Sequence, residues 1–426
     1  MVVGVLALVF IVTMALGMPI AWAMGIAGLA AMIVMGPIPL QVIAQKLFTG
    51  IDSFPLMAIP FFILSGELMG KGGITERLMK LADCVVGWIR GGLGLANVLA
   101  SMMFGGITGS AIADCSALGP IEIQMMLEAG YDAETSAGIT AASACIGPII
   151  PPSIPMVVYA TAVGTSIGGL FVAGIVPGII IGVALMAVFY SLALKKNYPR
   201  RTERLTARQF FDVVVEAFPA LMMPIIMLGG ILGGVFTPTE AASVAVVYSL
   251  VLTMVFYKTV TLSDLRQMLC NAAITTGVVL ILASTSNVFS WIITMEQVGP
   301  KLGALFLGHS RIVFLMLVNI LLLFVGTWMD NCPAILILAP ILAPIAVDLG
   351  IHPLHFGLIF VYNMVIGLIT PPLGQVLFVA CPISNLNLEE VTRGTLPFLI
   401  TEIVVLFLLT YVPELTLWLP RMFGFA

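Results

Sequence analysis

Charge is what this chain most lacks. Its 426 residues carry 17 lysines and arginines, 21 aspartates and glutamates and 3 histidines, a charged fraction of 9%, where a soluble globular domain has about a quarter. That deficit excludes a soluble globule, and nucleic acid is not among the expected partners. No basic region precedes the first apolar run, and the first charge is Lys46, so the N-terminus reads as a first helix and not as a cleaved signal. The six cysteines (Cys84, Cys115, Cys145, Cys270, Cys332, Cys381) are scattered singly. Without paired spacing they read as small buried hydrophobes, not as disulfides or a metal cluster. Neither HExxH nor a nucleophile elbow occurs, so intramembrane catalysis has no motif behind it and no enzyme is expected. The nearest approach to a phosphate loop, GELMGKGG at 66 to 73, lacks the spacing and the Ser or Thr after Lys that would hold magnesium. With no polar segment large enough for a soluble motor domain, any transport must draw on an ion gradient.

What the chain has is hydrophobicity: 60% of its residues, with a mean hydropathy of +1.16. Apolar stretches long enough to cross about 30 Å of hydrocarbon recur, for example at 4–36, 171–194, 241–257, 312–329 and 397–412. The runs are continuous and not alternating, which excludes an outer-membrane barrel and leaves helices to satisfy the backbone. The expectation is an all-α polytopic membrane protein with ten or more crossings of a lipid bilayer. Six of the 17 basic side chains, Lys195, Lys196, Arg200, Arg201, Arg204 and Arg208, lie in one segment. By the positive-inside tendency that segment is cytoplasmic.

The chain also repeats itself. Shifted by 220 residues it superposes Phe104 on Phe324, Gly106 on Gly326, Pro120-Ile121 on Pro340-Ile341, Gly130 on Gly350, Ile146-Gly147 on Ile366-Gly367, and Pro151-Pro152 on Pro371-Pro372. The matched Pro and Gly carry most weight, because they fix backbone shape. An echo at offset 219 aligns Pro19–Ala23 with Pro238–Ala242. Internal duplication follows: a first half over 1–190, a basic cytoplasmic linker over 191–217 and a second half over 218–426. Each half has an apolar stretch interrupted twice, by GGITGSAIADCSALGP (105–120) and CIGPIIPPS (145–153), then by VGTWMDNCPAILILAP (325–340) and VIGLITPPLG (365–374). The economical reading is a re-entrant hairpin over about 97–128 followed by a Pro-broken helix over about 135–160, repeated as a hairpin over about 312–347 and a broken helix over about 355–380. Inverted copies would bring the two hairpins in from opposite faces.

Polar residues at the interruptions are costly against lipid and belong against protein or water. Thr108, Gly109, Ser110 and Asp114 in the first half, with Thr327, Asp330 and Asn331 in the second, are candidate ion and substrate contacts. Ser and Thr can instead bond back to their own helix, and Asp can cap one. Thr370 precedes the second Pro-Pro pair and Ser153 follows the first; both can supply oxygen or cap a helix stub. Pro removes donors and frees carbonyls upstream, oxygens suited to sodium. Thr237 and Glu240 are spaced as a capping box. Asp348, His352 and His355 have helical metal-ligand spacing, but with Pro353 among them they read as a loop at the membrane surface.

The stretches FGGITGSAIADCSALG (104–119), GPIIPPS (147–153), GGVFTPTEAASVAVVYSL (233–250), DNCPAILILAPILAPIA (330–346) and GLITPPLG (367–374) resemble the large membrane subunit of tripartite ATP-independent periplasmic (TRAP) transporters. The resemblance covers essentially the whole chain, with TPTEAA and the two Pro-Pro breaks as its specific part. It implies inverted repeats in a scaffold and a transport domain that moves as an elevator in the bacterial inner membrane. It also implies import of an organic acid by sodium symport, with a small membrane subunit, expected as a separate polypeptide, and a periplasmic substrate-binding protein as partners. Carried over by position, one sodium site would draw on Thr108, Gly109 and Ser110 with carbonyls of Gly147 and Pro148. A second would use Thr327, Asp330 and Asn331 with carbonyls of Gly367 and Thr370, so that at least two sodium ions are expected. Ser110, Asp114, Ser153 and Asn331 would face the substrate. Sialic acid and C4-dicarboxylates are the substrates weighed, with a lean to sialic acid on overall resemblance and no diagnostic residue. A stand-alone sodium-coupled divalent-anion symporter or an anion exporter is the alternative, against which TPTEAA speaks; an ion channel or an intramembrane enzyme is the remote one.

Overall fold

The protein is described by a computed structural model over residues 1–426 except Pro37, 201–205, 299–300 and 302–309. Arg201 and Arg204 of the basic segment lie outside the described residues. Every assigned element among the described residues is helical, and seven helical segments there are long and apolar enough to cross a membrane. The remaining apolar helices are shorter, because interruptions cut them. The 4–36 run, for instance, breaks at Leu16–Pro19 into α1 (Val2–Ala15) and α2 (Ile20–Met35).

Helix starts follow local chemistry. Ser110, Asp132, Ser153, Ser166, Ser310 and Asp330 each accept a backbone N–H at an N-terminus, which satisfies a donor the helix leaves free. Thr237 and Glu240 form the expected capping box, and Thr206 with Gln209 forms another. The second box corrects the linker. α10 (Ile167–Lys195) runs into it from one side, and α11 (Ala207–Leu232) starts at that cap from the other, leaving 196–206 as the connection.

The two interrupted stretches fold as the repeat predicts. In the first half, α6 (Gly92–Thr108) and α7 (Ala111–Glu128) make a hairpin, and α8 (Ala133–Ala144) and α9 (Ile154–Val163) flank the first Pro-Pro break. Before them come α3 (Gln41–Thr49), α4 (Ala58–Lys71) and α5 (Ile74–Val86). α12 (Pro238–Leu250) and the long α13 (Leu262–Met295) lead into the second half. There α14 (Arg311–Gly326) and α15 (Asn331–Asp348) form the second hairpin, and α16 (Pro353–Gly367) and α17 (Gln375–Ser384) flank the second break. α18 (Leu388–Tyr411) and α19 (Glu414–Met422) close the chain. Both Pro-Pro bonds, 151–152 and 371–372, are cis.

Packing reciprocates between the copies. α7 packs on α17 and its counterpart α15 on α9; α8 packs on α18 and its counterpart α16 on α10. That exchange is what an internal two-fold axis produces. On that axis the Cys145 thiol lies 3.7 Å from the carbonyl of Val365, 220 residues away and therefore its own counterpart. α18 shows that the copies are inverted. Its first turns touch α8 beside the base of the first hairpin, where Arg393 pairs with Glu134 and a Cβ on Gly138 would stand 2.2 Å from Gly394. Its last turn reaches His355, just past the base of the second hairpin, whose Nε2 is 3.2 Å from the Thr410 carbonyl. The 24-residue helix is about 36 Å long, enough to cross a membrane, and these contacts lie about 25 Å apart along it. The hairpins therefore open at opposite faces, the first beside the basic connection, where Lys196 Nζ is 2.8 Å from Asp132 Oδ2.

His355 corrects the surface-loop reading of its segment. It lies in the first turn of α16, 2% exposed, with Nδ1 2.7 Å from the Thr416 hydroxyl. Burial there is supplied by α18 and α19 folding back over α16. His352 caps α16. The described residues hold no cluster of three metal-ligating side chains.

Candidate functional site

Each hairpin tip meets the break that follows it through a pair of glycines. A Cβ on Gly105 would stand 2.7 Å from the Gly147 Cα, and one on Gly367 2.6 Å from the Gly326 Cα. These backbones touch directly, so the tips lie against the breaks. The chain also bridges them: Ile154 donates to the Gly109 carbonyl at 3.4 Å, and Leu373 to the Thr327 carbonyl at 3.3 Å.

The first tip is a tight reversal. Gly109 has φ +62, and a Cβ there would lie 2.4 Å from the Pro152 carbonyl oxygen, so both conformation and space call for glycine. Thr108 ends α6 buried, its hydroxyl without a hydrogen-bond partner. Ser110 caps α7, accepting from Ala113 N at 3.4 Å. One turn on, Asp114 is 1% exposed. Its Oδ1 accepts from the Ser101 hydroxyl at 3.0 Å, while Oδ2 has no partner and would lie 3.7 Å from a Cβ placed on Gly147. Ser153 is fully buried; its hydroxyl donates to the Pro148 carbonyl at 2.5 Å and accepts from Met156 N at 3.2 Å. It is engaged as the cap of α9, and Pro148 keeps one carbonyl lone pair.

The second tip is looser, with four residues between its helices against two in the first. Thr327 donates to Phe324 at 2.7 Å and Thr370 to Ile366 at 2.8 Å, both back-bonds within their own helices. Such bonds spend the hydroxyl proton and leave oxygen lone pairs for a cation. Asp330 caps α15, with Oδ1 2.7 Å from Asn331 N; Asn331 is 9% exposed.

Behind the first tip, Asp114 ends a polar spine whose members Asn97, Ser101, Glu122 and Thr140 escaped the sequence reading. Asn97 donates to Glu122 Oε2 at 2.7 Å and to Thr140 Oγ1 at 2.6 Å, and accepts from Ser143 at 2.8 Å. Ser101 lies 3.1 Å from Ser143 and carries the chain to Asp114. All six of these residues are buried, and Glu122 Oε1 has no partner. Polar residues inside apolar helices were the available signal. The register shows no second-half copy of the acids, since Asp114 meets Ala334 and Glu122 meets Leu342. Glu402 on α18 is likewise fully buried, both carboxyl oxygens unpartnered.

Beside the first tip lies a cavity of about 580 Å³, lined by Thr108, Ser110 and Ser116 on the hairpin and by Gly66, Glu67 and Lys71 on α4. Ser110 is half-buried at its wall, while the Thr108 hydroxyl is covered and unpartnered behind it. The arrangement can coordinate a dehydrated monovalent cation through hydroxyl and carbonyl oxygens and hold an anion beside it.

A family profile described as "Tripartite ATP-independent periplasmic transporter, DctM component" matches residues 7–415. The chain is 41% identical over 409 residues to the sialic acid TRAP transporter large permease protein SiaM of Vibrio cholerae, covering 96% of each chain. It is 41% identical over 406 residues to the C4-dicarboxylate TRAP transporter large permease protein DctM of Pseudomonas aeruginosa, covering 95% of each. The crystal structure of the YdaH transporter of Alcanivorax borkumensis, described as having an unusual topology, is similar in fold with a TM-score of 0.66 at 16% identity over 88% of both chains.

Proposed function

Since the chain belongs to the DctM family of TRAP transporter large permeases, we propose that it is the large transmembrane subunit of a sodium-coupled importer of an organic acid in a bacterial inner membrane. The acid is delivered by a periplasmic binding protein, and a small membrane subunit completes the transporter. The observation that carries this reading is Thr108: a buried hydroxyl with no protein partner, on a hairpin tip packed against a Pro-Pro break and open to a cavity. A buried polar atom left unpaired costs about 1–3 kcal/mol, and an ion that it ligates removes that cost.

In this reading one sodium sits among Thr108, Gly109 and Ser110 and the carbonyls of Gly147 and Pro148. A second sits among Thr327, Asp330, Asn331 and the carbonyls of Gly367 and Thr370. The substrate lies between, near Ser110, Asp114, Ser153 and Asn331. The hairpins and broken helices travel together past α4 and α13 as an elevator. Family relatives carry sialic acid or C4-dicarboxylates, and the substrate here is drawn from that range of organic acids.

Reconstitution tests it. The chain and its small subunit in proteoliposomes should accumulate the acid only with an inward sodium gradient and with loaded binding protein outside. Uptake by this chain alone would overturn the tripartite reading, and uptake indifferent to sodium would overturn the coupling.

A further inference from the structure

On the side of the second hairpin, two further clefts run into each other. An inner chamber of about 260 Å³ and an outer vestibule of about 740 Å³ share Ala162, Ser290 and Pro340 in their walls. Together they form one passage between α13 on one side and α9 with α15 on the other. The vestibule wall includes Asp348 and His352, at the base of the second hairpin and so at the face opposite the basic connection. The inner chamber is lined by neutral side chains only, among them Thr49, Ser53, Thr161, Ser286 and Asn287.

α13 gives the passage its polar wall. Ser286, Ser290 and Thr294 recur every four residues and so share one helix face. The flanking two are spent: Ser286 donates to the Leu336 carbonyl at 2.7 Å, and Thr294 to the Ser290 carbonyl at 2.9 Å. Across the passage Thr161 donates to the Val157 carbonyl at 2.7 Å. Ser290 differs. Its hydroxyl makes no hydrogen bond with any described residue, and it stands where chamber and vestibule meet.

We propose that Ser290 is a substrate-binding residue of a second, low-affinity subsite, where a carboxylate arriving from the vestibule accepts a hydrogen bond from its hydroxyl before reaching the hairpin tips. The ligand class is an organic monoanion or dianion held by neutral donors. Without a cation in the inner chamber the grip is weak, and Asp348 in the vestibule wall disfavours an anion resting there. Both properties suit a position that passes substrate on. This inference rests on the importer reading, and its test is chosen to stand apart from it.

The full chain with its small subunit is reconstituted carrying Ser290→Cys and treated with a negatively charged methanethiosulfonate, and modification at position 290 is followed by peptide mass. N-acetylneuraminate and succinate serve as probes. The expected result is modification that one of the acids slows at least threefold. Ser290→Ala, in the same vesicles with loaded binding protein outside, should raise the KM for that acid about three- to tenfold while leaving maximal uptake and half-saturating sodium unchanged. Modification that neither acid slows, no modification at all, or a KM for Ser290→Ala within twofold of the wild type would each overturn the subsite. Wild-type vesicles that show no sodium-driven uptake with loaded binding protein outside would refute the importer reading instead, and the protection result would still decide whether an acid occupies the passage.

Discussion

The two hairpins descend from one pattern and have diverged in opposite directions. The first turns in two residues, buries its polar atoms, links them to a spine of Asn97, Ser101, Ser143 and Glu122, and faces a cavity of about 580 Å³. The second turns in four residues, bonds its hydroxyls back to its own helices, exposes Trp328, and is tied to α13. That tie follows from a proline both copies share. Pro340 lacks an N–H, which leaves the Leu336 carbonyl free, and Ser286 supplies the missing donor. Pro120 frees the Ser116 carbonyl in the same way, but no side-chain donor reaches it among the described residues, and Ser116 lines the cavity. Duplication thus preserved the backbone, a close glycine approach of tip to break that has shifted by one residue on the hairpin side, and the cis breaks, while side chains tied one hairpin to α13 and left the other beside a cavity.

The glycine contacts test the shared part, and there the effect should be largest. Gly105→Ala and Gly367→Ala each force a Cβ to within 2.7 and 2.6 Å of the facing glycine's Cα, a backbone atom that cannot swing aside. Each should cost about 3 kcal/mol or more and be read as a matched fall in melting temperature. A tolerated change at either position would show that its hairpin does not depend on the close glycine approach to the break.

Ion binding sharpens the difference. Thr108→Ala removes a hydroxyl with no protein partner, so melting temperature without sodium should hold or rise slightly, while half-saturating sodium for uptake rises about tenfold, or about 1.4 kcal/mol. Asp330→Ala should raise it as much but also lower stability by about 1 kcal/mol, because the same carboxylate caps α15. Unchanged sodium dependence in both variants would remove the tips from the ion sites.

Much of this was legible in the sequence. Pro and Gly matches at offset 220 marked both hairpins and both breaks, and Ser110, Asp330, Thr237 and Glu240 announced helix starts because capping is local. What stayed hidden depended on partners far along the chain. Asn97 gains meaning only from Glu122 and Thr140, 25 and 43 residues away, and His355 only from α18 and α19 closing over it. The linker drawn from the basic cluster over 191–217 took in helix ends for a related reason. Lys195 and Arg208 are helical despite their charge, since the cap at Thr206 and the apolar turns behind them carry the helices into the basic segment.

A smaller effect is expected at the tie itself. Ser286→Ala leaves the Leu336 carbonyl without its donor and should destabilise by about 1 kcal/mol. Its signature is directional: cleavage or cross-linking at the second hairpin should increase while the first is unaffected. Equal loosening of both would show that the asymmetry does not lie in this bond.

The smallest effect separates the hairpin bases. At the first, burial would push the Asp132 carboxyl up, but hydrogen bonds from Lys196, Tyr198 and Thr135 outweigh it and hold the group at about 2. A depressed carboxyl contributes stability above its unfolded value, near 4, and loses it only as pH falls from there through about 2. Asp132→Asn should therefore lower melting temperature by the same small amount at pH 8 and pH 5, below about 1 kcal/mol for a pair this exposed. At the second base, burial and then the Arg421 charge hold His352 below its ordinary range. Its unfolded form takes up a proton first, so stability declines as pH falls through about 6.5. His352→Gln should lessen the wild-type decline between pH 7 and 5, whereas Asp132→Asn should leave that decline intact. A penalty for Asp132→Asn that shrank over this interval would mean that the carboxyl is not held by Lys196, and the two bases would no longer differ in kind.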